Sequence, residues 1–471
     1  MKRALLLCLA VAACGEDAAP KYTVERLQDP GTCMECHPKH YAQWSGSMHA
    51  YAIEDPVFRA MHARGQRETG GALGLFCVNC HAPMAVRNGT ITEANVATFD
   101  LATLSPAEDG VTCYFCHNIE SVVADHNAQL EVAMDQTMRG GLQRPVESPA
   151  HHSAYDQRMD SERNSSELCG ACHDVITPAG VHLERTFAEW KGSVFGASED
   201  PTIKLTCGNC HMEPTTDVVA DNPALDVPLR PLGVHDHMFP AIDQALTPFP
   251  RMAEQAAAID EILRPSLAIV GPRPRTSTRA PGGICLDPPG TLTVRVDSFN
   301  VGHSFPSGVA HDRRAWVEVI AYRADGTTAF ESGVVPDQTD PDEIGDPNLF
   351  GIWDRTYKDS GAEAHFFWEA ARTDPAWLIK GPVTFDANDP AYDHSRTHTF
   401  ANLPNIAEFV RITARVRIRA LPFVALRMLV ESGDLDPAIL ERVPTLEVTD
   451  GEWLRSTAGT GVAQFTNCNP D

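Results

Sequence analysis

The sequence predicts two unlike halves: a mainly α-helical and irregular N-terminal domain carrying one motif five times, then a β-rich, sandwich-like C-terminal domain with a terminal helix. Three observations predict this. C-x-x-C-H occurs five times before residue 212. The stretch "GPRPRTSTRAPGG", rich in Pro, Gly and Arg, interrupts all apolar periodicity near residue 280. Beyond it, apolar residues recur at every second position. The expected layout is 1–14 export signal, 15–30 linker, 31–240 motif domain, 241–283 helix and linker, and 284–471 β-rich domain.

The chain has 471 residues and a net charge of −25, from 38 Lys and Arg against 63 Asp and Glu. That balance argues against a nucleic-acid partner and favours cationic ones. At the N-terminus, Lys2 and Arg3 precede an apolar run from Ala4 to Ala13, too short to span a bilayer. Small residues then lead into Cys14, the pattern of a lipoprotein signal, which predicts export and a lipid anchor on Cys14. The competing reading is a plain signal peptide.

The five motifs are Cys33-x-x-Cys36-His37, Cys77-x-x-Cys80-His81, Cys113-x-x-Cys116-His117, Cys169-x-x-Cys172-His173 and Cys207-x-x-Cys210-His211. Two thiols three positions apart sit on one turn and can each form a thioether to haem, with the adjacent histidine beneath the iron. Zinc would need no histidine directly after every second cysteine, and CxxC disulfides would leave five matched histidines without a role. The expected cofactors are five covalently bound haem c. The segments between motifs are too short for cores of their own. The predicted fold is therefore a multihaem cytochrome c domain packed around five haems, followed by the β-rich domain.

An iron with two protein ligands generally passes electrons, whereas one with a proximal ligand alone can bind substrate. His49, His62, His151 and His237 are the foremost distal candidates. His49 follows a helical pattern through Tyr41, Trp44 and Met48, and His62 continues that helix or starts another. His151 or His152 follows a Pro-rich loop, and His235 and His237 sit at strand-like spacing, so only one of those two is expected to face a given iron. His40, His126 and His182 are weaker candidates, with surface or hydrogen-bonding roles as the ordinary alternative. Met212, beside His211, cannot reach the opposite face of the same iron.

In "CMECHPKHYAQWSGSMHA", "GVTCYFCH", "ELCGACHDV" and "CGNCHMEP" the sequence resembles the cytochrome c-552/c-554 family of multihaem cytochromes, over about residues 30–240. The resemblance implies electron carriers related in haem packing to hydroxylamine oxidoreductases and pentahaem nitrite reductases. Such nitrite reductases usually replace one motif histidine with lysine, and the octahaem enzymes need three more haems. All five motifs here end in histidine.

In the second half, residues 251–263 read as a helix. "LTVRV", "RAWVEVIAYRADGTTAFESG" and "FVRITARVRIRAL" read as strands, with helix after Pro422. In the last strand Val410, Ile412, Ala414, Val416 and Ile418 alternate with Arg411, Thr413, Arg415, Arg417 and Arg419. The arginine face reads as solvated, with haem propionates or an acidic patch as the competing partner. Asp337, Asp340, Asp342, Glu343 and Asp346 lack the calcium-loop spacing and read as a solvated acidic loop. Cys285 and Cys468 are expected to pair as a disulfide. "NVGHSFPSG" is a tight turn projecting His303, similar to an Asn-x-Gly-His-x-x-Pro-Ser/Thr-Gly element of related multihaem cytochromes, and His303 is the fifth distal candidate.

The functional expectation is an electron relay between periplasmic or outer-membrane redox proteins, a donor and an acceptor, with docking through the C-terminal β domain. The alternative is a multihaem oxidoreductase acting on a small nitrogen or sulfur compound at one five-coordinate haem. No nucleophile-base set or nucleotide-binding loop is present to support a hydrolase or NAD enzyme.

Overall fold

The computed structural model describes residues 22–160, 165–223, 225–269, 284–287, 291–298, 300–386 and 388–455. Cys14 and Cys468 lie outside these, as does the side chain of Cys285, so the lipid anchor and the disulfide fall on undescribed positions. Among the described residues, no helix is long and apolar enough to cross a membrane.

Apart from one 13-residue helix, the N-terminal half is a succession of one- to two-turn helices and two-stranded pieces. Each motif lies on one helical turn. The backbone N–H of His37 donates to Cys33 at 2.8 Å, that of His81 to Cys77 at 3.2 Å and that of His173 to Cys169 at 2.9 Å. Local caps start these turns. The Thr112 hydroxyl accepts from the Phe115 amide, and Thr206 and Asn209 form a capping box before Cys207. The expected run through Tyr41, Trp44 and Met48 is two helices, Pro38–Trp44 and Met48–Tyr51, because Ser47 turns extended and caps the second.

The half also has apolar clusters of side chains. One gathers Tyr22, Leu27, Met84, Tyr114, Phe115 and Ile119; another gathers Ile53, Val78, Ala82, Ala85, Ile91 and Val96. Residues beside the motifs (Val78, Ala82, Phe115) supply much of this packing, so the core is not left wholly to bound groups.

The longest N-terminal helix is Pro56–Glu68. Asp55 caps it, with Pro56 at its first position. Its Val57 and Ala60 pack with Phe366, Phe423, Leu426 and Leu429, so this cluster belongs to both halves. Arg64 donates to the Met428 carbonyl at 2.8 Å, and Arg67 pairs with Asp434 at 2.6 Å.

Among the described residues the C-terminal half contains a two-stranded sheet, Arg355–Tyr357 with Arg372–Asp374, and two larger antiparallel sheets. In one, Thr291–Ser298 lies between Ile284–Asp287 and Ser395–Phe400, and Leu267–Ile269 pairs with its far end. A strand thus comes from the segment expected to be helix and linker, while Met252–Leu263 forms the helix. In the other sheet the order is Thr328–Ser332, Arg314–Tyr322, Arg411–Arg419, Leu446–Leu454, with Phe350–Ile352 also pairing with Arg314–Tyr322. Leu292, Val294 and Val296 of the first share one core with Val317, Val319, Ile412, Val416 and Ile418 of the second.

The arginine face of Arg411–Arg419 is paired rather than simply solvated. Arg415 and Arg417 both reach Glu318 on the neighbouring strand, at 2.7 and 2.8 Å, and Arg411 meets Glu452. Arg419 departs further: it is buried, and donates to Thr445 Oγ1 and the Pro336 and Thr339 carbonyls. The acidic loop is exposed at Asp337, Asp342 and Glu343, as expected, but two of its carboxylates are structural. Buried Asp340 accepts from the Phe423 and Val424 amides at 2.8 and 2.7 Å, capping the terminal helix Phe423–Glu431. Asp346 accepts from Ser332 and from Gly333, whose φ of 68° and proximity to the Val317 carbonyl exclude a side chain.

Candidate functional site

Two imidazoles on opposite faces of one metal, with metal–nitrogen bonds of about 2 Å and ~1.1 Å more to each ring centre, have centroids about 6 Å apart. Four motif histidines face a second histidine at that separation. His37 faces His151 at 6.4 Å and His173 faces His49 at 6.2 Å. His117 faces His237 at 6.3 Å and His211 faces His303 at 6.5 Å. Ring planes differ by 27°, 21° and 18° in three pairs and by 69° in His49–His173.

The open choices separate on geometry. His151 rather than His152 faces His37, and His237 rather than His235 faces His117. The His235 ring donates to the Met212 carbonyl at 2.7 Å. His40 lies 6.0 Å from His37, but its ring packs edge-on against His237 at 4.9 Å, between two sites. His126 and His182 stand opposite none of the motif histidines.

His81 differs. Among the described residues no histidine stands opposite it at the axial separation. The Phe58 ring stacks on it at 4.0 Å and lies 6.1 Å from His62, one turn further along the same helix. His62 is buried, its Nδ1 has no hydrogen-bond partner and its Nε2 is 3.4 Å from the Val96 carbonyl.

The other ring nitrogens are fixed. Nδ1 of His37, His81, His117 and His211 lies 2.6, 3.1, 2.6 and 2.8 Å from the carbonyls of Val219, Ala52, Arg139 and Pro240. A carbonyl only accepts, so Nδ1 carries the proton and Nε2 keeps its lone pair for a metal. On the facing side, His151, His237 and His303 place Nδ1 against the carbonyls of His152, His235 and Ser304. Burial keeps six of the rings neutral: it pushes His49 and His237 down to about 3, and His81 and His211 to about 4, and it lowers His117 and His151. His173 is the exception. Desolvation opposes its charge, yet the Glu184 carboxylate, 3.3 Å from Nδ1, raises it to about 9.

Cysteines of different motifs adjoin. Cys33 lies beside Cys113, Cys80 beside Cys172 and Cys169 beside Cys207, each hydrogen bond lowering one thiol and raising the other. All ten motif cysteines are free thiols. Free thiol pairs on single turns, neutral imidazoles with available Nε2 atoms, and a buried unpartnered Nδ1 on His62 form a donor set that fits haem c.

His303 reaches the site from the C-terminal half, and its loop is held there. Glu189 Oε2 accepts from the Ser304 amide at 3.0 Å and the Ser307 hydroxyl at 2.9 Å. The Gly308 amide donates to Thr186 at 3.0 Å. Behind the loop, a Cβ on Gly381 would stand 2.8 Å from the His303 carbonyl, so only glycine permits that approach. Nearby, Arg185 pairs at 2.6 Å with Asp354, which is 1% exposed.

Glu184, Glu189 and Phe58 were not singled out by the sequence. No spacing rule leads to them, since a carboxylate or phenyl acquires its role only when folding brings a histidine or loop against it.

The one-turn motifs and facing imidazoles define a class, the c-type cytochromes with several haems. Residues 32–118, which contain the first three motifs, match the family model described as cytochrome c554 and c-prime. The fold is similar to that of a penta-heme cytochrome c552 from Thermochromatium tepidum, with a TM-score of 0.58 and 18% identity, covering 92% of this chain and 98% of that chain. No curated protein matches the sequence. The two matches support a multihaem c-type cytochrome of the c-552/c-554 type, with covalently bound haem c.

Proposed function

We propose that this chain is an exported pentahaem c-type cytochrome, lipid-anchored through Cys14, that relays electrons between periplasmic or outer-membrane redox partners. The observation that carries the reading is the set of four facing imidazole pairs. On it, His37 and His151, His117 and His237, His173 and His49, and His211 and His303 are the residues that would hold four haem irons, and His81 would hold the fifth. The ten motif cysteines form the thioethers. Bound there, each haem supplies one Fe(III)/Fe(II) couple, and together they form a path for single electrons.

The chain's own contribution is to fix those ligands in place. Nδ1–H bonds to carbonyls set the tautomer, and ligands that need not move keep reorganisation small. Adjoining cysteines from motifs one and three, two and four, and four and five support close spacing of the attached groups. The C-terminal half supplies His303, and on this reading also offers the docking surface for a partner.

A second reading, an oxidoreductase acting on a small nitrogen or sulfur compound, attaches to one observation: among the described residues, His81 faces no histidine at the axial separation. Electron paramagnetic resonance of the oxidised protein, with a haem count, tests both. Five haems with at least four low-spin irons, and a spectrum that small added ligands do not change, support the relay. A high-spin fifth iron that changes on adding small ligands supports the second reading, and two or more high-spin irons would refute the four-pair assignment.

A further inference from the structure

Four motif histidines direct Nδ1–H to a neutral backbone carbonyl, and one directs it to a charged side chain. The exception is His173, 3.3 Å from Glu184 Oε1. Glu184 lies on the short strand His182–Glu184, which pairs antiparallel with Val175–Ile176, so the hairpin folds the carboxylate back onto the motif eleven residues before it. Among the described residues its ion pair is with His173 alone. The nearby cation, Arg313, is committed elsewhere: its two terminal nitrogens meet both oxygens of Asp243 at 2.7 and 2.8 Å. The Thr186 hydroxyl, 3.5 Å away, is a weak further donor to Glu184.

We infer that Glu184 is a positioning residue that sets the reduction potential of the haem on His173, an inference that rests on the haem reading above. A carboxylate accepting the Nδ1 proton draws it away from the ring and makes the imidazole a stronger electron donor through Nε2. A more electron-rich ligand, with a fixed negative charge beside it, stabilises Fe(III) over Fe(II). That haem therefore takes up its electron at a lower potential than the haems on His37, His117 and His211, whose ring protons go to carbonyls. Its place gives the difference a consequence. Cys172 adjoins Cys80 of the second motif and Cys169 adjoins Cys207 of the fifth, so the lowered haem stands at a junction between two others.

Glu184→Gln keeps the shape and an acceptor oxygen but removes the charge. In the full five-haem protein, potentiometric titration followed by electron paramagnetic resonance distinguishes the sites. The His173–His49 pair is the one with crossed ring planes, and crossed imidazoles give a strongly anisotropic low-spin signal. The expected result is that this signal titrates at higher potential in Glu184→Gln while the other low-spin signals keep theirs. His49→Met, which exchanges an axial ligand of the same iron, must move the same component. A merely structural role for Glu184 leaves the isosteric variant silent, and unchanged potentials in a protein carrying five haems overturn the inference alone. A shift shared by all haems also overturns it. Absence of haem from Cys169 and Cys172 by peptide mass overturns the underlying reading, and the inference with it.

Discussion

His211 and His303 face each other at 6.5 Å with ring planes 18° apart, although 92 positions separate them and they belong to different halves of the chain. On the proposed reading this pair grips one iron from both sides, and the ligand bond doubles as an inter-domain tie. His303→Ala is expected to convert one low-spin iron in five to high-spin and to ease proteolytic separation of the halves. An unchanged low-spin spectrum in the variant rules the pairing out.

Glu189 holds the loop that delivers His303. Its carboxylate accepts from both the Ser304 amide and the Ser307 hydroxyl, and Glu189→Ala leaves the amide without a partner and the hydroxyl with Thr186 Oγ1 alone, at 3.0 Å. Losing charged acceptors of this kind costs about 1–3 kcal/mol. The variant should show a partial, temperature-dependent high-spin fraction at the same iron as His303→Ala. A spectrum like the wild type up to the melting temperature would remove Glu189 from this role.

Arg185 and Asp354 form an ion pair across the halves, and Asp354 is almost wholly buried. Arg185→Ala leaves the Asp354 carboxylate with no cation and only the Arg355 and Asp374 amides, both on Oδ1, and breaking a buried pair on one side typically costs about 3–5 kcal/mol. Thermal unfolding should shift down clearly, and Asp354→Asn in the same background should recover part of the loss. Equal melting temperatures for the wild type and Arg185→Ala would show that the pair contributes nothing.

Asp55 gives stability a pH dependence of defined sign. Burial raises its carboxyl to about 6, with Asp243 adding to the effect and the Val57 amide and Arg59 opposing it. Because the folded value lies above the unfolded one, this group's contribution is full below about pH 4 and is lost as pH rises through 6. Asp55→Asn retains an oxygen to cap the Val57 amide and never ionises. The stability of the variant relative to the wild type should therefore rise between pH 4 and pH 7. A difference that stays constant over that range would contradict the assignment.

The motifs were legible because their chemistry is local. Cys113, Cys116 and His117 fall on one turn in any folded state, and the alternation from Ile412 to Ile418 places one face of a strand in a core wherever the sheet lies. The role of Arg419 was not legible. Alternation puts it with Arg415 and Arg417, but the crossing loop at Pro336 and Thr339 covers that end of the strand and supplies carbonyl acceptors. In the acidic run from Asp337 to Asp346, Asp337, Asp342 and Glu343 are exposed as expected, whereas Asp340 is buried at the start of the helix Phe423–Glu431, a partner that no spacing in the run encodes.

By itself, then, the sequence determined the number of C-x-x-C-H motifs, the thiols and imidazole of each, and the two-part chain with its change of period. Contacts across long separations were decided only by the tertiary structure. It sets His151 rather than His152 opposite His37, His237 rather than His235 opposite His117, Phe58 rather than His62 against His81, and Glu184 beside His173. The reason is geometric. A histidine next to its cysteines is positioned by the one turn they share, whereas a facing histidine, a phenyl or a carboxylate is positioned by how separate segments pack, and residue spacing does not encode that.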